Sequence, residues 1–291
     1  MSARVALWIV LAQAIGGSTP ALTKLALAGL SPWSLVVVRQ SLGLLILLGV
    51  SALRRPDVAP APLRARDLGL LLVLAWGGFA LPMVLNAIGL ELSTATNGAL
   101  LSPLEPIGIL IGGALLLREV LTAPRVVAIA LGAAGGTLIV LQGTVDIRAG
   151  DPRGDALMAL GHLSWAIYTL AAKPLLRRHD PLRVAMLATA LSVPPLIPLA
   201  LAEPFDAARA LPALGWVFAL AFLSTALISY AWNAALREIS ASTLAVFIFL
   251  QPLVGLVIGA LLLGEPVGGQ ALAGAVLIVL GVTLAALRGE S

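Results

Sequence analysis

Cysteine is absent from the chain, which excludes disulfides, thiolate catalysis and Cys-ligated metal centres. Histidine is nearly absent. His162 and His179 are too few for a multi-histidine site, so neither a metal nor a cofactor is expected. No G-x-x-x-x-G-K-[ST] loop is present, which removes an ATPase module. An intramembrane serine hydrolase would need a nucleophile beside a base, and Ser18 or Ser164 with His162 offers scattered candidates without a nucleophile motif. No enzyme is therefore expected. Charge is also scarce, at 11% of residues, and no long polar stretch interrupts the chain as a soluble insert.

What is there is apolar. Of 291 residues, 60% are hydrophobic, and the mean hydropathy is +1.04. Such a chain would aggregate in water. The 29 glycines and 19 prolines would weaken soluble helices but are tolerated in closely packed membrane helices. Apolar spans of about 20 residues, enough for a hydrocarbon core of roughly 30 Å, are expected near 5–28, 32–53, 68–90, 95–117, 123–142, 153–176, 182–201, 211–236, 241–263 and 269–287. With a cytoplasmic N-terminus, the loops on that side hold Arg4, Arg54, Arg55, Arg64, Arg66, Arg118, Arg125, Lys173, Arg177, Arg178, Arg183, Arg237 and Arg288. The other side holds only Lys24, Arg148, Arg153 and Arg209, beside Glu91, Asp146, Asp151, Asp155, Glu203, Asp206 and Glu265. This asymmetry places both termini in the cytoplasm. It also accounts for a pI of about 10.3 without a nucleic-acid partner.

The chain repeats itself. Asn86-Ala87 and Asn233-Ala234, Glu91 and Glu238, and Ser93 and Ser240 recur at a spacing of 147. Pro106 and Pro252, and the GALLL-x-E runs that open at Gly113 and Gly259, recur at 146, so one residue is lost between Asn97 and Glu105 or its counterpart. Lys24 with Ser31-Pro32 matches Lys173 with Asp180-Pro181 at 149, which pairs the first span with the sixth. That pairing argues against a cleaved signal peptide, a reading otherwise suggested by Arg4 and the triplet Ala12-Gln13-Ala14. Five helices per copy is an odd number, so the second copy enters the membrane from the opposite side and the repeats are inverted. Gly108-x-x-x-Gly112 and Gly255-x-x-x-Gly259 fall in the matched helices 4 and 9, where helix packing is their expected use.

Ten helices in two copies, with Glu105-Pro106 and Gln251-Pro252 each followed by GALLL-x-E, resemble the drug/metabolite transporter superfamily with two EamA-type domains. Among its members the chain looks most like the YddG-type exporters of aromatic and other neutral amino acids. The resemblance covers nearly the whole chain. It implies an all-α membrane protein of ten transmembrane helices in two inverted five-helix repeats, 1–145 (helices 1–5) and 146–291 (helices 6–10). It further implies a bacterial inner-membrane location, secondary transport by alternating access, and a central cavity lined by helices 1, 3, 4, 6, 8 and 9. The partners would be a small-molecule substrate and the lipid bilayer. The sequence sets no oligomeric state, and a monomer is compatible with it.

Polar and aromatic residues at membrane depth point to the same cavity. Helix 1 carries Gln13 and then Gly16-Gly17-Ser18-Thr19-Pro20, where Pro20 removes a backbone donor and the glycines loosen the preceding turn. Ser18 and Thr19 are candidate substrate contacts, and Gly16, Gly17 and Pro20, with Pro106 and Pro252, are candidate helix breaks for gating. The spacing of Trp76, Phe79, Met83 and Asn86 puts them on one helix face. His162, Trp165, Tyr168 and Thr169 follow in helix 6, and Ser229, Tyr230, Trp232 and Asn233 in helix 8. Trp8, Trp33 and Trp216 lie near span ends and read as interfacial belt residues.

Glu105 falls near the bilayer centre, where insertion scales put an acidic residue at roughly 2.5–3.5 kcal/mol. It should be protonated, paired or facing water, either bonded to a carbonyl freed by Pro103 or Pro106 or serving a proton or substrate amine. Its repeat partner is the neutral Gln251. Arg39 lies about eight residues into helix 2, where it could pair with a substrate carboxylate or snorkel outward; the resemblance makes this helix peripheral, which favours the second. The expected cavity residues are thus Ser18, Thr19, Trp76, Phe79, Glu105, His162, Trp165, Tyr168, Tyr230 and Gln251. The expected activity is export of neutral, especially aromatic or apolar, amino acids. The alternatives are export of drugs or other small metabolites and, more remotely, a passive channel.

Overall fold

The computed structural model describes residues 2–54, 61–141, 150–263 and 267–288. All regular structure among them is helical, arranged as ten rods. These are α1 (Ala3–Leu27), α2 (Pro32–Leu53), α3 (Ala65–Leu92), α4 (95–117), α5 (Ala123–Val140), α6 (Pro152–Leu176), α7 (Pro181–Leu201), α8 (Ala207–Glu238), α9 (241–263) and α10 (Gly269–Arg288). Eight are long and apolar enough to cross a membrane. The other two are α6, which carries Arg153, Asp155, His162 and Lys173, and α9, whose apolar stretch is shorter. Arg55, Asp146, Arg148, Glu265 and the expected boundary at 145/146 lie outside the described residues.

The helix starts are encoded locally. Ser2, Ser31, Thr94, Asp151, Asp180, Asp206 and Ser240 each accept a backbone N–H of the following first turn, and Pro32, Pro152 and Pro181 occupy the first helical position. The repeat is equally exact in three dimensions. Helices α1 and α6 start and end 149 residues apart, and α5 and α10 start 146 apart. Between them, α3 and α8 each contain an eight-residue π-helical stretch, Val73–Ala80 and Leu220–Leu227, at a spacing of 147. The spacing falls to 146 already at the ends of these helices, where Ser93 caps α3 and Ile239 caps α8. The lost residue therefore belongs to the last turns of α8, not to the segment after Asn97. Ser93 and Ser240 consequently play different roles, one closing α3 and the other opening α9.

Two trios enclose the centre: α3, α4 and α6 pack together, and α1 packs on α8 and α9. Helix α2 bridges to α7 and to the π stretch of α8, while α5 and α10 pair along their length. Gly135 and Gly274 make that last pairing close, since a Cβ on either would meet the other's carbonyl oxygen. Leu45, Leu115, Phe218 and Val276 point outward and exposed, as lipid-facing residues of a membrane protein must.

Candidate functional site

Between the trios lies a cavity of about 480 Å³. Taking the face where α1 begins as proximal, the lining residues fall mostly in the distal half. They run from Phe79 to Leu90 on α3, from Gly98 to Glu105 on α4, from Met158 to Thr169 on α6, and from Leu35 to Arg39 on α2. Ile139 and Val140 at the distal end of α5 complete this half.

The floor is aromatic. Phe79, Trp165 and Tyr168 form a three-ring cluster with centroids 5.5–6.2 Å apart. Tyr168 accepts at its hydroxyl from Asn233 Nδ2 at 2.9 Å, and Trp232 donates its indole N–H to Thr169 Oγ1 at 3.1 Å. The Tyr168 ring is thus fixed by a hydrogen bond between α6 and α8 as well as by packing. Gly78 makes the approach of α3 to α6 feasible, because a Cβ there would collide with the backbone of Tyr168.

The polar wall is divided between the repeats. Gln251 Nε2 donates to Gln13 Oε1 at 2.9 Å, in a contact that the missing side chains of Gly16 and Gly17 permit. The positions equivalent by repeat are Glu105 and His162. His162 Nε2 faces Gly98 O at 3.1 Å, and the Glu105 carboxylate accepts no hydrogen bond and makes no ion pair among the described residues. Thr19 Oγ1 lies 3.2 Å from Ile15 O and 3.3 Å from Ser224 Oγ.

Of the residues read from the sequence, Thr19, Phe79, Glu105, His162, Trp165, Tyr168, Gln251, Gly16, Gly17, Pro20 and Pro252 line this cavity. Ser18, Trp76, Tyr230 and Pro106 stand elsewhere. Ser18 turns back to bond Ile15 O at 2.7 Å. Trp76 is 50% exposed on the outside of α3, where its indole donates to Leu191 O, a carbonyl whose helical partner would be the absent N–H of Pro195. Tyr230 belongs to a proximal pocket with Arg54 and Trp8, edge-to-face with the latter at 5.2 Å. Pro106 is buried in the first turn after a break in α4 between Leu101 and Leu104. Helix α1, in contrast, continues unbroken through Pro20, with α9 packed directly on Gly16 and Gly17. The irregularity in α9 is a 3-10 stretch, Phe247–Phe249, ahead of Pro252.

Gly108 and Gly112 pack on Ala166 and Leu170 of α6, as their spacing suggested, whereas Gly255 lies open on the cavity. Ser18 and Ser164 both bond carbonyls of their own helices, and neither pairs with His162. Arg39 is the residue the sequence reading undervalued: it lines the cavity and is 6% exposed. Its signal was the rarity of a cation at that depth.

On the proximal side the trios are clamped. Helix α4 ends at Arg118 in the left-handed conformation (φ 57°), which reverses the chain so that Glu119 caps α9. Its carboxylate accepts from Ala241 N at 2.8 Å, Ser242 N at 3.0 Å and Ser242 Oγ at 2.5 Å. Negative charge is favoured at a helix N-terminus. Lys173, at the end of α6, donates to Leu236 O and Ile239 O, each at 2.6 Å, at the end of α8. The GALLL-x-E run thus has a physical use: Gly113 leaves room for Ser242 and Glu119, and the glutamate joins the trios.

A helical bundle with a solute-sized cavity between two repeated halves defines a membrane transporter. The chain belongs to the EamA-like transporter family, whose model matches residues 3–141 and 152–287. It is 27% identical to the uncharacterized transporter YyaM of Bacillus subtilis over 68% of this chain and 66% of that protein. It is also 31% identical to an uncharacterized transporter of Archaeoglobus fulgidus over 62% and 63% of the two chains, so it spans just under two thirds of the length of both. A probable terminal-alkyne amino-acid exporter of Streptantibioticus cattleyicolor is 29% identical over 88% of this chain and 83% of its own. One solved crystal structure shares the fold with a TM-score of 0.77 at 18% identity, over 100% of this chain and 99% of that one.

Proposed function

We propose that the protein exports neutral amino acids, with a preference for large or apolar side chains, across a bacterial inner membrane. It works as a secondary transporter by alternating access between inverted repeats, with both termini in the cytoplasm. The observation that carries this reading is one cavity of about 480 Å³ holding the unpartnered Glu105 above the Phe79, Trp165 and Tyr168 cluster. A carboxylate suits an ammonium group, and stacked rings suit an apolar side chain. The resemblance to a relative named as a probable amino-acid exporter supports it. With basic loops inside, the cavity faces outward and the Glu119 and Lys173 clamp closes the cytoplasmic side.

Purified protein in liposomes preloaded with unlabelled phenylalanine should accumulate labelled phenylalanine by counterflow, and cells expressing it should tolerate toxic phenylalanine or tryptophan analogues better than controls. Trp165→Ala should reduce that tolerance without loss of protein from the membrane. Flux without stimulation by solute on the opposite side would indicate a channel. The pairing of an acid with aromatic walls also suits a lipophilic cation, so movement of such a cation without amino-acid flux would establish drug export instead.

A further inference from the structure

We infer that Arg39 is the anion anchor of this cavity, and that the transported solutes carry a carboxylate which it binds. The inference rests on the cavity's being the substrate site, as proposed above. Arg39 sits two turns into α2 and is 6% exposed, so its guanidinium is held in the wall and does not reach the membrane surface. Two hydrogen bonds hold it, from Nε to Thr225 Oγ1 at 2.9 Å and from Nη2 to Ser224 Oγ at 2.6 Å. Both acceptors are neutral. Among the described residues no carboxylate, Glu105 included, lies within ion-pair distance of it.

A guanidinium carries five N–H donors in a rigid fork, and these hydroxyls take two of them. Burying a charge with no counter-charge is costly, and proteins normally pair it. The remaining fork matches a planar, bidentate acceptor, which a carboxylate supplies and a carboxamide does not.

The support around Arg39 is built for orientation. Ser224 and Thr225 stand in the π stretch of α8, where the widened turn resets the direction of side chains relative to an α-helix. Gly43, one turn beyond Arg39, lets α8 come close enough for this contact, because a Cβ there would run into the Thr225 side chain. Ser224 in turn lies 3.3 Å from Thr19 Oγ1, tying the anchor to α1. Among the described residues the cavity therefore presents one cationic group, on α2, and one acidic group, on α4, and neither is neutralised by another of them. A zwitterion satisfies both. A lipophilic cation leaves Arg39 unpaired, and a phosphate dianion exceeds its single charge.

Calorimetric binding to the purified protein should separate the ligands without any mutation: phenylalanine should bind at least about tenfold more tightly than phenylalaninamide or phenethylamine. Arg39→Gln should weaken phenylalanine binding by about 10- to 100-fold, leave the amide unchanged, and so abolish the discrimination. Arg39→Lys should restore only part of it. Thr225→Val, which keeps the charge and removes an orienting acceptor, should show the same trend to a smaller degree. Equal binding of acid and amide by the wild type, or full discrimination in a folded Arg39→Gln variant, would overturn this inference alone. Binding of none of the three ligands would overturn the amino-acid reading and this inference with it.

Discussion

Glu105 and Gln251 occupy equivalent positions in the two repeats, as do His162 and Gln13, yet only the amides meet, at 2.9 Å. The two amides, one from each repeat, have thus settled into a neutral pair, while Glu105 and His162, likewise one from each repeat, stand apart in the cavity wall. A carboxylate that binds the substrate ammonium must be ionised, so binding of phenylalanine should strengthen as pH rises through the titration of Glu105. In Glu105→Gln the dependence should vanish, with affinity fixed near the acid-side value of the wild type; an unchanged pH profile would reassign the dependence to His162. Glu105 was legible in the sequence because an acid at bilayer depth needs a reason. Trp76 and Tyr230 were misplaced for the opposite cause. Helices that are apolar on every side give no internal sign of which face meets lipid and which meets the cavity, and spacing alone put Trp76 on the same face as Phe79.

Helix limits were readable because caps are local chemistry: Ser31-Pro32 and Asp180-Pro181 each announce a start that the structure keeps. The π stretches were not readable, since VLAWGGFA and LAFLSTAL share no residue pattern that forces an i to i+5 bond. They are visible only through tertiary contacts. In α3 the stretch is pressed against α6 at Gly78, where the neighbour is the main chain of Tyr168 and cannot step aside. Its neighbour Gly77 faces only the Ile167 side chain, at 3.6 Å from an added Cβ, an ordinary contact. Gly78→Ala should therefore lower stability by about 1–3 kcal/mol through overpacking, read as a fall in thermal unfolding temperature in detergent. Gly77→Ala should leave it unchanged or slightly raised. Equal effects at the two positions would mean that the floor of the cavity is softer than its packing implies.

At the scale of the molecule, inverted symmetry turns one observed clamp into two. Lys173 joins α6 to the end of α8 on the proximal side, and its repeat partner Lys24 stands at the distal end of α1, exposed and without a partner among the described residues. The mirrored contact would run, in the proposed cycle, from Lys24 to the carbonyls that end α3, forming when the distal side closes. In the proposed cycle each lysine therefore stabilises the opposite state, and removing either should shift the equilibrium in opposite directions. Two charge-assisted bonds to carbonyls make the shift on the order of tenfold or more. The absence of cysteine makes this measurable with single reporters at Ala235, buried beneath the proximal clamp, and at Leu90, on the open cavity wall. Lys173→Met should raise thiol labelling of Ala235→Cys and lower that of Leu90→Cys, whereas Lys24→Met should do the reverse. Changes of the same sign in both variants would mean that the lysines serve general stability, and that the two halves do not exchange roles across the membrane.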